Sequence, residues 1–375
     1  MLLLAVAFTD SLVWTNLLAA LNLNPGAYIP LASSSCWLLF LYENNSLMLL
    51  PTELLGTIVN TLALPTHPQA YGFEADVQHS LVRLCSASTT LYSIASPYLY
   101  SSVIINSSHQ LHSFVNTLCN TKGRLSPALH SLSLRDFDDA LEETCVTDFI
   151  GLLVVLHKYS PNFRRLIIDR DLRTWLDPVD YMSDSSSEEE NPETKEIGPT
   201  SIAARRLTIR SGLDALQSLE ELSSIQDEIF LPSFKTDGTW EYNSGWKYHL
   251  QLRYLSLYNP IIDSDFARDI IPLHFLKCLV LVRPDVTDDT AAQFFRAIMA
   301  RSRLLLVGPM PINHIKDILA TAQPTCEIFY VEAPAEERDF IRHVQLWARQ
   351  QLERGTLFER KATRIWPRHE EDISI

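Results

Sequence analysis

Histidine and cysteine side chains at metal-ligand spacing are the first residues in this chain with a specific chemical possibility. His109 and His112 form an HxxH pair, and Cys119 follows seven residues later, so one reading is a metal site. The helix predicted there buries an apolar stripe from Leu111 to Leu118, which directs both histidines elsewhere. No carboxylate or second cysteine stands at ligand spacing. The sequence therefore predicts no metal and no cofactor.

A carboxylate cluster offers a second possible site. Asp136, Asp138 and Asp139 follow a predicted strand, where they could hold a cation, although a solvated loop accounts for the same spacing. No phosphate-binding loop, dinucleotide fingerprint, zinc-protease motif or nucleophile elbow is present, and 11 glycines leave few phosphate cradles. An enzyme would need a deep pocket with convergent titratable groups. We therefore expect no catalysis.

An acidic, serine-containing tract lies near the middle of the chain. Residues 180–196 carry seven acidic side chains against one lysine, and 183–196 contain no aliphatic or aromatic residue. Such a segment cannot bury enough surface to offset its chain entropy, which predicts a disordered acidic loop over 183–196. Ser185, Ser186 and Ser187 each precede a glutamate by three residues, the arrangement that acid-directed kinases favour. A phosphorylated loop and a plain solvated loop both fit the tract.

Composition narrows the class of protein. The chain has 375 residues and is 46% hydrophobic, enough for one large domain or two ordinary ones. A net charge of −14 disfavours nucleic-acid partners, because phosphate backbones repel an acidic surface. The six scattered cysteines form no CxxC pair and suggest buried apolar side chains in a reducing compartment, cytoplasmic or nuclear.

The first 49 residues form an apolar leader of uncertain status. The run from Met1 to Phe8 is apolar, but Asp10 follows it and no basic residue precedes it. A signal peptide needs a positive start and a longer apolar stretch, and a membrane-spanning helix needs about 20 apolar residues. We therefore expect no membrane association and interpret the leader as an amphipathic or core-packing extension, or as a leader whose true start lies downstream.

Helical periodicity begins directly after this leader. Pro51 suits the first position of a helix, and 52–64 place apolar residues on one stripe. Residues 65–79 are proline-rich and predict a loop, and a second helix is expected over 81–94. Pro97 ends that helix, and a short β-branched and aromatic stretch follows up to Ile105.

A strand-like pattern recurs in the remainder of the chain. It reads apolar-x-x-apolar-x-apolar, with polar residues at the x positions, and its middle leucines at 255, 279 and 305 are 24 and 26 residues apart. That spacing, with a helical run over 288–303 between two copies, is typical of leucine-rich repeats. The copies are Leu129, Leu132, Leu134; Phe163, Leu166, Ile168; Ala204, Leu207, Ile209; Leu252, Leu255, Leu257; Leu276, Leu279, Leu281; and the weaker Ser302, Leu305, Val307.

Two further segments have definite expectations. Residues 234–248 contain Trp240 and Trp246 and predict a hairpin that packs on the repeats, with an aromatic contact site as the alternative. A C-terminal helix is expected over 335–354, followed by Gly355 as its C-cap. Ile341, Val344, Ala348 and Leu352 form its buried stripe, and a repeat array needs such a helix to cap its last open end.

The N-terminal helices resemble the F-box of fungal F-box proteins. Strings LPTELLGTIVNTL at 50–62 and LVRLCSASTTLYSIASPYLYSSVII at 81–105 carry the resemblance, which covers about residues 50–120. The matching positions are Leu50, Pro51, Glu53, Leu54, Leu55, Ile58, Leu84, Cys85, Ser88, Leu91, Tyr92, Ala95, Pro97, Leu99 and Tyr100. The later region resembles, less specifically, the irregular leucine-rich repeats often attached to F-boxes.

The resemblance implies an α/β architecture in four parts. Residues 1–49 form the leader, 50–105 a small helical F-box-like module, 106–333 an irregular leucine-rich-repeat solenoid, and 334–375 a C-terminal capping helix with its tail. The implied function is a substrate-recruiting adaptor of an SCF-type ubiquitin ligase, without catalysis of its own. The alternative is a repeat scaffold for protein interaction without a ligase role.

The implied partners are a Skp-type adaptor subunit and a protein substrate that the sequence does not name. A three-helix unit of this size has too little core to stand alone, so apolar surface should remain for a partner. The residues expected to contact the adaptor are Leu50, Pro51, Leu54, Leu55, Ile58, Leu84, Leu91, Pro97, Leu99 and Tyr100.

Overall fold

The computed structural model shows a mixed α/β protein with a largely parallel sheet. The chain divides into two compact units, the first comprising Met1–Pro68 and Gly72–Ser102, the second Gln69–Tyr71 and Val103–Ile375. The described residues are 4–7, 29–30, 36–39, 52–63, 71, 75–121, 128–135, 143–170, 172, 202–234, 240–286, 288–298, 302–308, 312–332, 340–359 and 362–366.

In its described residues, the first unit combines a small antiparallel sheet with three helices. Strands β1 (Leu4–Ala7), β2 (Ile29–Pro30) and β3 (Cys36–Leu39) pair in the order β1-β3-β2. Helices α1 (Thr52–Leu62), α2 (Ala75–Ala87) and α3 (Thr89–Leu99) follow, and α3 packs against both others. The Ser88 hydroxyl accepts a hydrogen bond from the Leu91 amide at 3.1 Å, which caps α3 and fixes its start.

The second unit is built on a nine-stranded sheet whose order follows the chain. The order is β16-β15-β14-β12-β10-β7-β6-β5-β4, and every pairing from β5 to β15 is parallel. The strands are β4 (Ser102–Ile105), β5 (Ser131–Leu134), β6 (Arg165–Ile168), β7 (Glu221–Ser224), β10 (Tyr254–Tyr258), β12 (Cys278–Val282), β14 (Arg303–Val307), β15 (Glu327–Val331) and the antiparallel β16 (Thr363–Trp366).

Helices connect these strands and form one layer, because right-handed crossovers between neighbouring strands in chain order all lie on the same face. Successive helices contact each other on either side of a hairpin over 230–244, which itself contacts the helix before it and the helix after it. The helices of this layer are α4 (Ser108–Asn120), α5 (Glu143–Tyr159), α6 (Ile202–Asp214), α7 (Ser264–Ile270), α8 (Asp288–Ala297) and α9 (Ile312–Ala322). The short strands β11 (Ile261–Ile262) and β13 (Asp285–Val286) pair beside them.

Leucines in register fill the side of the sheet that faces the helices. The aligned buried positions, from β5 to β15, are Leu132, Leu166, Leu222, Leu255, Leu279, Leu304 and Ile328. From Leu255 onwards they are spaced by 24, 25 and 24 residues. Four of the six copies recognised in the sequence are therefore the strands β5, β6, β10 and β12.

Two of those copies were assigned wrongly. Residues 204–209 belong to helix α6, and the strand of that repeat is β7, which contains the buried Leu222 and is preceded by the buried Leu219. The last copy has the wrong phase, since Leu304 pairs with Leu279 and places Leu305 on the opposite face. β14 is buried on both faces, so its apolar run carries no alternation to fix the phase.

A hairpin is present as β8 (Phe230–Phe234) and β9 (Trp240–Ser244), and it begins and ends four residues before the predicted segment 234–248. Trp246 directly follows it and is fully buried, edge-on to Phe266 with ring centroids 5.5 Å apart. Its indole nitrogen donates to the Glu228 carbonyl at 3.3 Å. Trp246 therefore anchors this segment to the helix layer instead of forming an aromatic contact site.

The C-terminal helix α10 spans Phe340–Glu353. Gly355 follows with φ of 72°, a left-handed conformation that glycine adopts without strain, and the Thr356 amide donates back to the Gln351 carbonyl at 2.9 Å. The C-cap predicted at this glycine is confirmed. In the buried stripe, Ile341 is an exception, since its side chain is exposed. Within the described ranges, no helix has the length and apolarity needed to cross a membrane.

Candidate interaction surfaces

Three residues expected to contact a partner form the core of the first unit instead. Leu55, Leu84 and Leu91 are buried in one cluster with Val59, Leu62, Ala63, Leu81 and Ala95. Their spacing is the i, i+3, i+4 stripe of amphipathic helices, which indicates a buried face without showing what buries it. In this structure the three helices cover that face themselves.

The remaining candidates lie at the surface of this unit. Pro97 is exposed, and Ile58, Leu99 and Tyr100 are half-buried. Tyr92, which directly follows Leu91 but is not itself on the predicted contact list, is 47% exposed. Burial raises the pKa of the Tyr100 phenol, with smaller contributions from Tyr92 and Cys85, so these three side chains from α2 and α3 are neighbours. The exposed apolar surface here therefore includes Tyr92, Pro97, Leu99 and Tyr100.

Several predicted residues cannot be compared with this surface. Leu50 and Pro51 lie outside the described residues, and Leu54 belongs to α1 but its side chain is not described. The possible phosphorylation sites and the acidic loop over 183–196 are likewise outside the described ranges. So are Asp136, Asp138 and Asp139.

The HxxH pair contributes to a contact between two helices. His112 Nδ1 lies 3.0 Å from an Asp148 carboxylate oxygen of α5, and its Nε2 lies 2.8 Å from the Asn116 amide nitrogen. His109 and Cys119 are exposed, which corrects the expectation of a buried cysteine at position 119. Among the residues that the structure describes, no group of three potential ligands could hold a metal ion.

The second face of the nine-stranded sheet is covered by α10. Val344, Trp347, Ala348 and Leu352 of this helix pack, with Leu357 and Phe358, against the strand residues that point away from the helix layer. Those residues include Ile167, Val280, Leu305 and Val331, and Ile225, directly after β7, belongs to the same cluster. The predicted position of this helix was therefore wrong, because α10 packs on a face of the sheet and does not cap the open end at its last strand.

Ion pairs hold the C-terminal end of α10 against β5 and β6. Arg135, directly after β5, donates two hydrogen bonds to the Glu353 carboxylate at 2.7 and 2.9 Å. Arg349 donates to the nearly buried Asp169 carboxylate at 2.7 Å, directly after β6. Phe358 stacks against Tyr254 with ring centroids 5.0 Å apart, and its carbonyl accepts from Arg303 at 2.8 Å. The last turn of α10 and the residues that follow it up to Phe358 are thus held on the sheet by ion pairs, hydrogen bonds and an aromatic contact.

Tyr71 is buried on the same face and was missed by the sequence analysis. Its hydroxyl donates to Glu221 Oε1 at 2.8 Å, and Glu221 Oε2 accepts from Arg165 Nε at 2.8 Å. The Arg165 guanidinium lies 4.2 Å from the Tyr71 ring centroid, and the Tyr71 amide donates to the Glu353 carbonyl at 2.7 Å. Burial and then the Glu221 carboxylate raise the pKa of Tyr71 well above its ordinary value, so the phenol remains a donor.

Three successive turns before β7, β10 and β12 share one hydrogen-bonding pattern. Each turn contains three residues spaced three positions apart. The amide of the second donates to the carbonyl of the first, and the amide of the third donates to the carbonyl of the second. The three sets are 213–216–219, 246–249–252 and 270–273–276. The middle position is Leu216, His249 or Leu273, and all three are buried. His249 is therefore a histidine at a position where the repeat otherwise places leucine.

Burial lowers the pKa of His249 to about 4; the Leu216 carbonyl opposes this shift and the Arg210 guanidinium adds to it. The imidazole is therefore neutral in the folded state, and the unfolded chain binds the extra proton between pH 6.5 and about 4. Stability should fall as pH falls through that window, by about 3 kcal/mol in total.

His249→Leu is expected to remove this acid sensitivity, because leucine fits the repeat and carries no titratable group. The measurement is urea unfolding at pH 7.5, 5.5 and 4.5, compared with the exposed His274→Leu, one turn further along. A His249→Leu variant that loses stability between pH 7.5 and 4.5 as steeply as the parent would contradict the assignment.

Comparison with known proteins does not assign this chain to a family. The chain matches no family model, and none of the curated proteins matches it. The function is therefore inferred from the exposed apolar surface of the first unit, from the strand and helix arrangement of the second unit and from the sequence resemblance.

Proposed function

We propose that the chain is a substrate-recruiting adaptor of an SCF-type ubiquitin ligase. In this proposal the helices α1–α3 are an F-box that binds a Skp-type adaptor subunit, and the second unit is an irregular leucine-rich-repeat solenoid that recruits a protein substrate. The protein contributes no catalysis of its own.

The observation that carries the proposal is the apolar surface around Tyr92. A cluster of eight buried side chains is a small core for α1–α3, while Tyr92, Pro97, Leu99 and Tyr100 remain wholly or partly outside it. Aromatic residues left at a surface are the ones that most often dominate binding energies. Three of these four residues are also positions of the F-box resemblance that the sequence assigned to adaptor contact.

Support for a repeat solenoid comes from the second unit. Its parallel strands follow chain order, the inward leucines recur at intervals of 24 and 25 residues, and the connecting helices form a single layer. These features are typical of leucine-rich repeats. Regular spacing is confined to the strands from β10 onwards, which is why the proposal calls the repeats irregular.

A specific observation also supports the alternative, a repeat scaffold without a ligase role. Leu55, Leu84 and Leu91 are used inside the first unit, so three of the ten expected contact residues are not available to an adaptor in this conformation. The adaptor proposal therefore depends on the exposed residues alone, and the experiment must test those.

Tyr92→Asp is expected to weaken binding of a purified Skp-type adaptor by about 30-fold or more, the effect of losing a hot-spot aromatic side chain. Biolayer interferometry on the full chain measures it. Thr90→Asp is the matched control, because Thr90 is exposed on the same helix and lies on the other side of the buried Leu91. Absence of adaptor binding by the parent chain, or equal weakening by both variants, would leave the plain scaffold as the function.

A further inference from the structure

A row of charged residues runs along the sheet edge where the strands begin. Backbone hydrogen bonds align the residues that precede the strands: Glu220 donates to Arg164 at 2.7 Å, Arg253 to Glu220 at 2.8 Å and Lys277 to Arg253 at 2.8 Å. Neighbouring strands are about 4.8 Å apart, so these side chains form one line. We call Arg164, Arg253 and Lys277 the basic row.

One carboxylate partly neutralises the basic row. Glu220 lies 3.5 Å from Arg164 and 3.4 Å from Arg253, so it is shared between two guanidinium groups. Lys277 is exposed at the end of the line. The row carries three positive charges and one negative charge, in a chain whose net charge is −14.

Exposed apolar side chains lie beside the basic row, on the turns that lead into β10 and β12. We call them the turn patch: Tyr248, Leu250, Ile271 and Phe275, which are 49%, 51%, 47% and 58% exposed. The two turns lead into the paired strands β10 and β12, so they lie next to each other, and the exposed apolar residues occupy different positions of their shared hydrogen-bonding pattern. Large apolar residues grouped in this way mark binding surfaces more often than single exposed ones do.

Further positive charge flanks the turn patch. The Lys247 ammonium lies 5.0 Å from the Tyr248 ring centroid. The Arg210 guanidinium lies 5.3 Å from the same ring, but it is buried and paired with the Asp214 carboxylate at 2.9 Å, so the added surface charge is that of Lys247. Apolar contact area and a local positive field therefore coincide at these two turns. A bound segment that supplied carboxylates to the basic row and bulky side chains to the turn patch would satisfy both.

We propose that the basic row and the turn patch together bind an acidic polypeptide segment of a partner protein that carries bulky apolar side chains. A nucleic acid fits less well, because two of the four patch side chains, Leu250 and Ile271, are aliphatic and offer its bases no stacking surface, whereas bulky apolar side chains can pack on all four. A second copy of this chain also fits less well, since two copies with a net charge of −14 repel each other.

This inference deepens the proposed function, because it names the surface by which the second unit recruits a substrate. It rests on the proposed function only in calling the bound partner a substrate. The face of the sheet opposite the helix layer is already covered by α10, which leaves the strand-start edge as the surface where charge and apolar area meet. The test below contains no adaptor, so its outcome is independent of the Skp experiment.

Fluorescence anisotropy of the full chain with a labelled synthetic peptide of alternating glutamate and leucine or phenylalanine tests the proposal. The parent chain is expected to bind it, and Arg253→Glu/Lys277→Glu and Leu250→Ser/Phe275→Ser are each expected to weaken binding by about tenfold or more. Affinity should also fall between 50 and 300 mM salt, because the charges involved are exposed.

Matched controls lie on other surfaces of the chain. Arg83→Glu/Arg342→Glu makes the same change of charge at exposed arginines, and Val154→Ser/Ile261→Ser makes the same loss of exposed apolar area. Both are expected to bind as the parent does. Circular dichroism of all four double variants establishes that they are folded.

Three outcomes would overturn the proposal. The first is no binding of the peptide by the parent chain, or equal weakening by test and control variants. The second is equally tight binding of a peptide with the sequence of residues 183–196, which contains no aliphatic or aromatic side chain, because the turn patch would then contribute nothing. The third is tighter binding of a labelled single-stranded RNA of the same length.

Discussion

Leu352→Asp is expected to unfold the second unit at ambient temperature. Leu352 is buried between α10 and the sheet, and losing its apolar contact costs about 1.5–3 kcal/mol. Placing a carboxylate there adds a desolvation cost of several kcal/mol. The total approaches the whole stability of an ordinary domain, about 5–15 kcal/mol. Circular dichroism and urea unfolding would measure the loss.

Ile341→Asp is the control for this prediction, since Ile341 belongs to the same helix but is 50% exposed. It is expected to change the stability by less than about 1 kcal/mol, as surface substitutions usually do. If α10 were a detachable arm, Leu352→Asp would free the helix, raise its protease sensitivity and leave the unfolding transition of the sheet unchanged. That result would contradict the packing described here.

Glu221→Ala is expected to destabilise the second unit by about 3–5 kcal/mol, because it leaves the Arg165 guanidinium in a largely buried place without its carboxylate. Glu221 is 2% exposed and also accepts from the buried Tyr71 hydroxyl, so a second donor loses its partner. Equilibrium urea unfolding, followed by the fluorescence of the buried Trp246 and Trp347, would measure the change in free energy.

The neighbouring carboxylate supplies the control. Glu220→Ala removes a half-exposed side chain whose ion pairs are longer than 3.3 Å, and exposed ion pairs contribute about 0–1 kcal/mol. Arg165→Met/Glu221→Leu should recover much of the loss, since apolar residues can replace a buried ion pair. Equal effects of Glu220→Ala and Glu221→Ala would show that the buried network contributes little.

Much of the strand arrangement could be predicted because each repeat strand alternates between a leucine-filled face and another face. The prediction failed at β7, where Ser224 occupies the last apolar position of the pattern. The preceding helix α6 contains a chance match to the whole pattern and was therefore taken for the strand. It also failed in phase at β14, where both faces are apolar. Alternation is informative only when the two faces of a strand meet different surroundings.

The position of α10 could have been inferred from the same strands. Val280, Leu305 and Phe329 occupy aligned positions between the inward leucines, where the pattern was taken to require polar residues. A row of apolar side chains on this face is stable only if another element shields it from water. The C-terminal helix α10 has an apolar stripe that can do so. Tyr71 could not have been inferred, because its partner Glu221 lies 150 residues away and nothing local marks the pair.

The adaptor-contact residues show a different limit of sequence reasoning. An apolar stripe at helical spacing indicates that a face is buried, but a unit's own core and a partner's surface leave the same stripe. Leu55, Leu84 and Leu91 proved to be core, whereas the exposed Tyr92 attracted no attention as a contact residue because it lies off the stripe. Fractional exposure separates the two cases.

The antiparallel direction of β16 restricts how this protein could have lengthened during evolution. β16 pairs with β15 along the edge that a further parallel strand would need. A duplicated strand–helix unit therefore cannot be appended after β15 without displacing the C-terminal segment. At this end of the sheet, growth by duplication must instead insert whole units among the evenly spaced strands from β10 to β15, where an added strand can pair with a parallel strand on both sides.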